Sequence, residues 1–203
     1  MFDLNFFLFQ IFPYISLSVL ILGSIVRFDR DPYTWRSKSS QILRKKQLYW
    51  GSILFHTGIL VVLAGHVVGL MTPIAIFDFM RISHGFKQIL AMTVGGIAGI
   101  LCLIGLLMLL HRRLFDPRIR ANSSFSDIMV LVLLLAQLLL GLGGIPISMQ
   151  HLDGHEMVKF MNWVQHIVTF RGGAVDFVSD VHIIFKLHLV LGMLLLVVWP
   201  FTR

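Results

Sequence analysis

Three histidines stand where a histidine is costly. His56 and His66 lie ten residues apart inside the uncharged apolar run 49–71 (YWGSILFHTGILVVLAGHVVGLM), and His188 lies in another apolar run near the C-terminus. Ionisable groups at membrane depth are expensive and usually functional. A neutral imidazole is also the commonest protein ligand for a metal. Ten helical residues rise about 15 Å, so His56 and His66 can serve two centres at different depths but never one centre together. That spacing points to stacked haems in a membrane helix bundle that moves electrons across the bilayer.

The elements that hold these residues follow from composition. The chain has 203 residues, 57% hydrophobic and 13% charged, with a mean hydropathy of +0.84. A soluble domain would carry roughly a quarter charged residues. Five stretches, 4–26, 49–71, 89–110, 128–149 and 181–201, are uncharged or nearly so. Each is long enough to span about 30 Å of hydrocarbon. The fifth carries Lys186 near its start, where a lysine can snorkel to the interface. The reading is one all-α integral membrane domain over 1–203, a bundle of five transmembrane helices. The N-terminus has no basic n-region and no small-residue cleavage site, so the first helix is expected to stay. Phe2, Phe6, Phe7, Phe12 and Tyr14 crowd its start as an interfacial aromatic belt. A single cysteine, Cys102, excludes an internal disulfide, a cysteine-ligated iron–sulfur cluster and a CxxCH haem attachment.

Charge sets the expected orientation. One set of connections holds Arg27, Arg30, Arg36, Lys38, Arg44, Lys45, Lys46, Arg112, Arg113, Arg118, Arg120 and Arg203; the other holds Arg81, Lys87, Lys159, Arg171 and Lys186. The richer set belongs in the cytoplasm, which puts the N-terminus outside and the C-terminus inside. The net charge of +7 is thus first a topology signal. The inner loops 27–47 and 112–120 are expected to dock acidic soluble partners or to attract anionic lipid; nucleic acid is not an expected partner. The outer segment 151–180 carries apolar residues at helical spacing, either as a helix on the membrane surface or as a cap over the bundle.

Depth can be matched by counting. His66 lies five residues before the outer end of the second run, and His188 seven past the outer start of the fifth. Both are about 7–10 Å below the outer interface, so they can ligate one iron from opposite faces of a porphyrin. Gly65 and Gly69 beside His66, and Gly192 after His188, remove side chains where a flat macrocycle must approach backbone. Two interior histidines bridging helices are the plainer alternative. His56 sits at inner depth, and its partner belongs near the end of the fifth run, where VVWPFTR offers no good iron ligand. That partner is expected beyond Arg203. His84, His151, His155, His166 and His182 read as ordinary outer histidines, and His111 beside Arg112 and Arg113 as interfacial or propionate-contacting.

Several blocks in order give the chain a family resemblance: PYTWR, LFHTGIL, AGHVVGLMTP, AGILCLIG, RRLFDPRIRA, QHLDG, VTFRGGA and FKLHLVLGM. The chain resembles the gamma subunit of respiratory nitrate reductase, a dihaem cytochrome b of the bacterial inner membrane. The resemblance runs over essentially its whole length. It implies two b haems, with His66 and His188 matching the ligands of the outer, distal one and His56 matching one ligand of the inner, proximal one. The family's fourth histidine falls a few residues past Arg203, so a short cytoplasmic tail is expected there. The resemblance further implies quinol oxidation near the outer haem. Electrons would then pass to an iron–sulfur beta subunit and a molybdenum-containing alpha subunit that reduces nitrate. Lys87, which opens the third run on the outer side, is the expected polar contact for quinol, with Gly65 and Gly69 beside the slot; a snorkelling anchor is the alternative. Two rivals remain. The anchor of another quinone-linked complex would share the histidines but not both the PYTWR and LHLVLGM blocks. A transporter would normally carry carboxylates at depth, whereas Asp3, Asp78 and Asp180 lie near helix ends.

Overall fold

A computed structural model describes residues 3–35, 40 and 42–202 of the chain; Phe2, Arg36, Lys38 and Arg203 lie outside the described residues. Five helices are long and apolar enough to cross a membrane: α1 (Leu4–Arg30), α2 (Lys45–Met71), α3 (His84–Phe115), α4 (Phe125–Ser148) and, after the shorter α5 (His155–Val168), α6 (Ile183–Phe201). The spans run past the apolar stretches at five of their ten ends, where polar residues start or finish the helices. Ser83 accepts the Phe86 N–H at 3.2 Å, and Ser124 and Asp127 form a reciprocal capping box at the start of α4. The 32 residues of α3 reach about 48 Å, beyond the hydrocarbon and into both headgroup layers. The last span starts at Ile183, not Val181, with His182 as its cap, the His182 Nδ1 accepting from the Ile184 N–H at 3.3 Å.

Neighbouring spans pack in the order α2, α3, α4, α6, α1. The most extensive contact is α2 on α3, and small residues make it possible. A Cβ on Gly58 would fall 2.5 Å from the Ala98 carbonyl and 2.6 Å from the Cys102 nitrogen. A Cβ on Gly105 would collide with the Phe55 nitrogen and the Gly51 carbonyl. Lipid offers helices no hydrophobic reason to associate, so this backbone-to-backbone approach carries the pairing through dispersion. Cys102, buried in the seam, is a small packing residue.

The end of the bundle where α1 begins is closed by α5. Proline at position 13 cannot donate to the Phe9 carbonyl one turn earlier. A π-helical turn covers Phe7–Ile11, and the Trp163 indole supplies the missing donor, reaching the Phe9 carbonyl at 2.9 Å. Phe9, Trp163, Ile167, Ala174, Val178 and Val181 form one buried cluster. The apolar face of α5 is therefore spent on the protein, and of the two readings of segment 151–180 the cap is the one observed.

On the opposite side, Arg112 does not join the exposed charge of segment 112–120. Its guanidinium is 3% exposed. It donates to Ser40 Oγ at 3.2 Å and to the Ser40 and Leu43 carbonyls at 2.5 and 2.8 Å, stapling the connection before α2 to the end of α3. Arg44 pairs with Asp116 at 2.8 Å and Arg113 with Asp127 at 3.5 Å. Arg30, Lys45, Lys46, Arg118 and Arg120 remain exposed.

The seam yields a direct test. Gly58→Ala puts a methyl against backbone that cannot step aside, and overpacking of this kind costs about 1–3 kcal/mol. The expected outcome is a lower unfolding temperature in detergent, read by circular dichroism, while Gly95→Ala, which meets nothing within 4 Å, does not lower it.

Candidate metal centre

The second span and the last one are not close-packed neighbours, yet they bring two imidazoles together. The His66 and His188 rings stand 6.2 Å apart between centroids, tilted by 36°. Each ring is anchored through Nδ1. His66 Nδ1 lies 2.8 Å from the Val62 carbonyl, one turn back in α2, and His188 Nδ1 lies 3.1 Å from the Gln137 carbonyl of α4. A carbonyl only accepts, so each Nδ1 carries the proton and each Nε2 keeps its lone pair, the tautomer that binds metal.

Whether a haem iron fits can be judged from that spacing. Imidazole nitrogens hold first-row metals at about 2 Å, and the ring centre lies about 1 Å behind the nitrogen, so two rings on one ion stand roughly 6 Å apart. The observed separation agrees. Among the described residues no group of three or more histidine, cysteine or carboxylate side chains is gathered for a bare metal ion. Two axial imidazoles suit an ion whose remaining ligands come from a macrocycle. A Cβ on Gly65 or Gly69 would meet nothing within 4 Å, leaving room beside His66. Gly192 does something else: its missing Cβ makes space for the Gln137 amide, 3.2 Å away. His66 is exposed on the protein's own atoms and His188 half-buried.

His56 is held in the same manner as His66, with Nδ1 2.7 Å from the Ser52 carbonyl and Phe55 edge-on at 5.2 Å. Among the described residues no second histidine ring faces it. His111 contacts Gln47 Nε2 at 3.2 Å and stacks on Phe115 at 4.9 Å. His84 pairs with Asp78 at 3.4 Å, and His166 packs on Phe177 at 4.7 Å. These are locally partnered side chains.

Lys87 turns inward instead of snorkelling. It is 7% exposed, with Nζ 3.2 Å from the Met161 sulfur of α5 and 3.9 Å from the Phe77 ring centre. Its neighbours are a thioether and a π face, both weak partners for an ammonium. The helix that covers it also packs on the π-helical turn Val67–Met71 that follows His66, and Gln165 of α5 donates to the Thr72 carbonyl at 3.0 Å. Lys87 and the C-terminal end of α2 thus share one roof. Sequence reading passed over Gln137, although a lone amide in the otherwise apolar middle of α4 was the available signal.

The family model described as "Nitrate reductase gamma subunit" matches residues 5–203. This chain belongs to that family. It is 48% identical over 200 residues to the Respiratory nitrate reductase 1 gamma chain of Escherichia coli (strain K12), covering 98% of this chain and 88% of that one. It is 40% identical to the Nitrate reductase gamma chain of Bacillus subtilis (strain 168), covering 97% and 87%. A more distant relative, 26% identical over 95% of this chain and 62% of its own, is an Hdr-like menaquinol oxidoreductase cytochrome b-like subunit of Archaeoglobus fulgidus (strain ATCC 49558 / DSM 4304 / JCM 9628 / NBRC 100126 / VC-16). As a nitrate reductase gamma subunit, the chain is a multi-pass inner-membrane protein, the membrane cytochrome b anchor of an oxidoreductase complex with other subunits.

In this gamma subunit the roof is clipped by charge. Lys159 of α5 reaches Asp180 at 2.8 Å and Glu156 at 3.2 Å. Asp180 chiefly holds the Lys159 ammonium above its ordinary value, and the same bond holds the Asp180 carboxyl below its own. The Asp180 contribution is therefore complete above about pH 4 and lost as pH falls through its depressed value; the Lys159 contribution is complete below about pH 10 and lost as pH rises through its raised one. Hydrogen exchange of α5 amides, corrected for intrinsic rates, should be steady through neutrality and accelerate in acid. Lys159→Met should remove that acid dependence.

Proposed function

We propose that this subunit oxidises quinol near the outer ends of α2 and α3 and passes the electrons inward to a cytoplasmic iron–sulfur subunit and, through it, to a molybdenum-containing subunit that reduces nitrate. The observation that carries this reading is the His66–His188 pair, with both Nδ1 atoms tied to carbonyls and the rings 6.2 Å apart. His66 and His188 hold the outer b haem and His56 one side of the inner one. When bound, the two haems supply one-electron carriers at two depths. A bis-histidine iron has no open position, which suits electron transfer and not oxygen chemistry.

The quinol site uses Lys87 as a donor to a quinol oxygen, with the apolar slot by Gly65 and Gly69. A buried ammonium whose direct contacts are a sulfur and a π face, with the Asp78 carboxylate acting on it at longer range, gains from an oxygen acceptor, which supports the assignment. The N-terminus is outside and the C-terminus cytoplasmic, from the distribution of Lys and Arg. Quinol then leaves its protons outside while its electrons move inward, each full crossing storing about 2.3 kcal/mol per 100 mV. Exposed Arg30, Lys45, Lys46, Arg118 and Arg120 form the docking face for the soluble subunits.

Substituting Ala for His66 or for His188 should each remove one haem per subunit from the purified complex, measured as the pyridine haemochrome, with membrane insertion intact. Full haem content in both variants would refute the assignment. Lys87→Ala should keep both haems yet slow quinol-driven haem reduction by at least about tenfold, the effect of losing about 1.4 kcal/mol. Unchanged quinol turnover in that variant would return Lys87 to a packing role.

A further inference from the structure

We infer that Gln137 is a positioning residue for the metal-binding imidazole of His188, with its side-chain amide tuning the outer centre; this rests on the haem-ligand reading above. The amide is half-buried near the middle of α4, where an unsatisfied polar group is costly. Gln137 touches both nitrogens of one ring. Its backbone carbonyl takes the Nδ1 proton at 3.1 Å, and its side-chain Nε2 stands 3.4 Å from His188 Nε2, the atom that coordinates.

Two glycines are shaped around this arrangement. A Cβ on Gly141, one turn after Gln137, would press on His188 Cε1 at 3.1 Å, and a Cβ on Gly192 would press on the Gln137 amide at 3.2 Å. Residues 137–141 of α4 thus hold one edge of the His188 ring while α6 clears space for the amide. Gln137 Oε1 is buried without a hydrogen-bond partner. Packing alone would be met as well by a leucine, which brings no such unsatisfied oxygen.

An N–H dipole held with its positive end toward the coordinating edge favours the state with more electron density at the metal, which is the reduced one. Removing it should favour oxidation. Gln137→Leu keeps the bulk and the Nδ1 anchor, which is backbone, and deletes the dipole. In the intact complex the outer haem's reduction equilibrium should move about tenfold toward the oxidised form, about 59 mV for one electron. Haem content should stay complete, and the low-spin electron paramagnetic resonance line of that haem should shift. Gly192→Ala, which displaces the amide without deleting it, should move the potential in the same direction by less.

Potentiometric titration of both variants beside His188→Ala separates the outcomes. If His188→Ala retains all haem, the ligand reading fails and this inference with it. If His188→Ala loses a haem while Gln137→Leu and Gly192→Ala keep the parent potential and resonance line, only the role of Gln137 is overturned. Should Gln137→Leu fail to accumulate, an unshifted potential in Gly192→Ala alone overturns it.

Discussion

A membrane span offers a side chain little water to bond to, and each of the three imidazoles in the spans is oriented by a hydrogen bond that the helices themselves supply. His56 and His66 use the carbonyl one turn back on their own helix. His188 borrows the Gln137 carbonyl from the neighbouring α4. In each case Nδ1 is tied down and Nε2 keeps its lone pair, with the Gln137 amide beside that of His188. Much of the rest of the structure serves to keep these anchors in register. The glycine seam fixes α2 against α3, α3 carries α4, and α4 holds the ring that α6 presents back to α2.

The same economy governs the end of the bundle that α5 covers. A proline in α1 frees one carbonyl, the indole of Trp163 takes it, and α5 is thereby fixed over the bundle. That roof buries Lys87 against a sulfur and a phenyl ring and braces the turn just past His66. Reactive and structural roles are therefore not separable here. The contacts that close this end also set the surroundings in which the proposed quinol chemistry takes place.

The sequence made some of this legible and concealed the rest, for physical reasons. Uncharged runs of about twenty residues announce spans, and counting residues along two of them was enough to match His66 with His188. The runs are apolar all round, so no periodicity distinguishes a face that packs on protein from one that meets lipid. The order α2, α3, α4, α6, α1 was hidden for that reason, as was the use of Gly192. Gln137 was visible as a lone amide, but which ring it touches depends on that order. The basic loops were read as one docking surface, and Arg112 departs from it because a residue count cannot separate a buried staple from an exposed charge.

The central claim is that His66 and His188 ligate one iron from opposite sides. Electron paramagnetic resonance of the oxidised, purified complex tests it most directly. Two strong axial imidazoles make ferric haem low-spin, so the account predicts a low-spin signal from the outer haem that is replaced by a high-spin one, or lost, in His188→Ala. An outer haem that is high-spin in the unmodified protein, or an outer-haem low-spin signal that survives unchanged in His188→Ala, would contradict it.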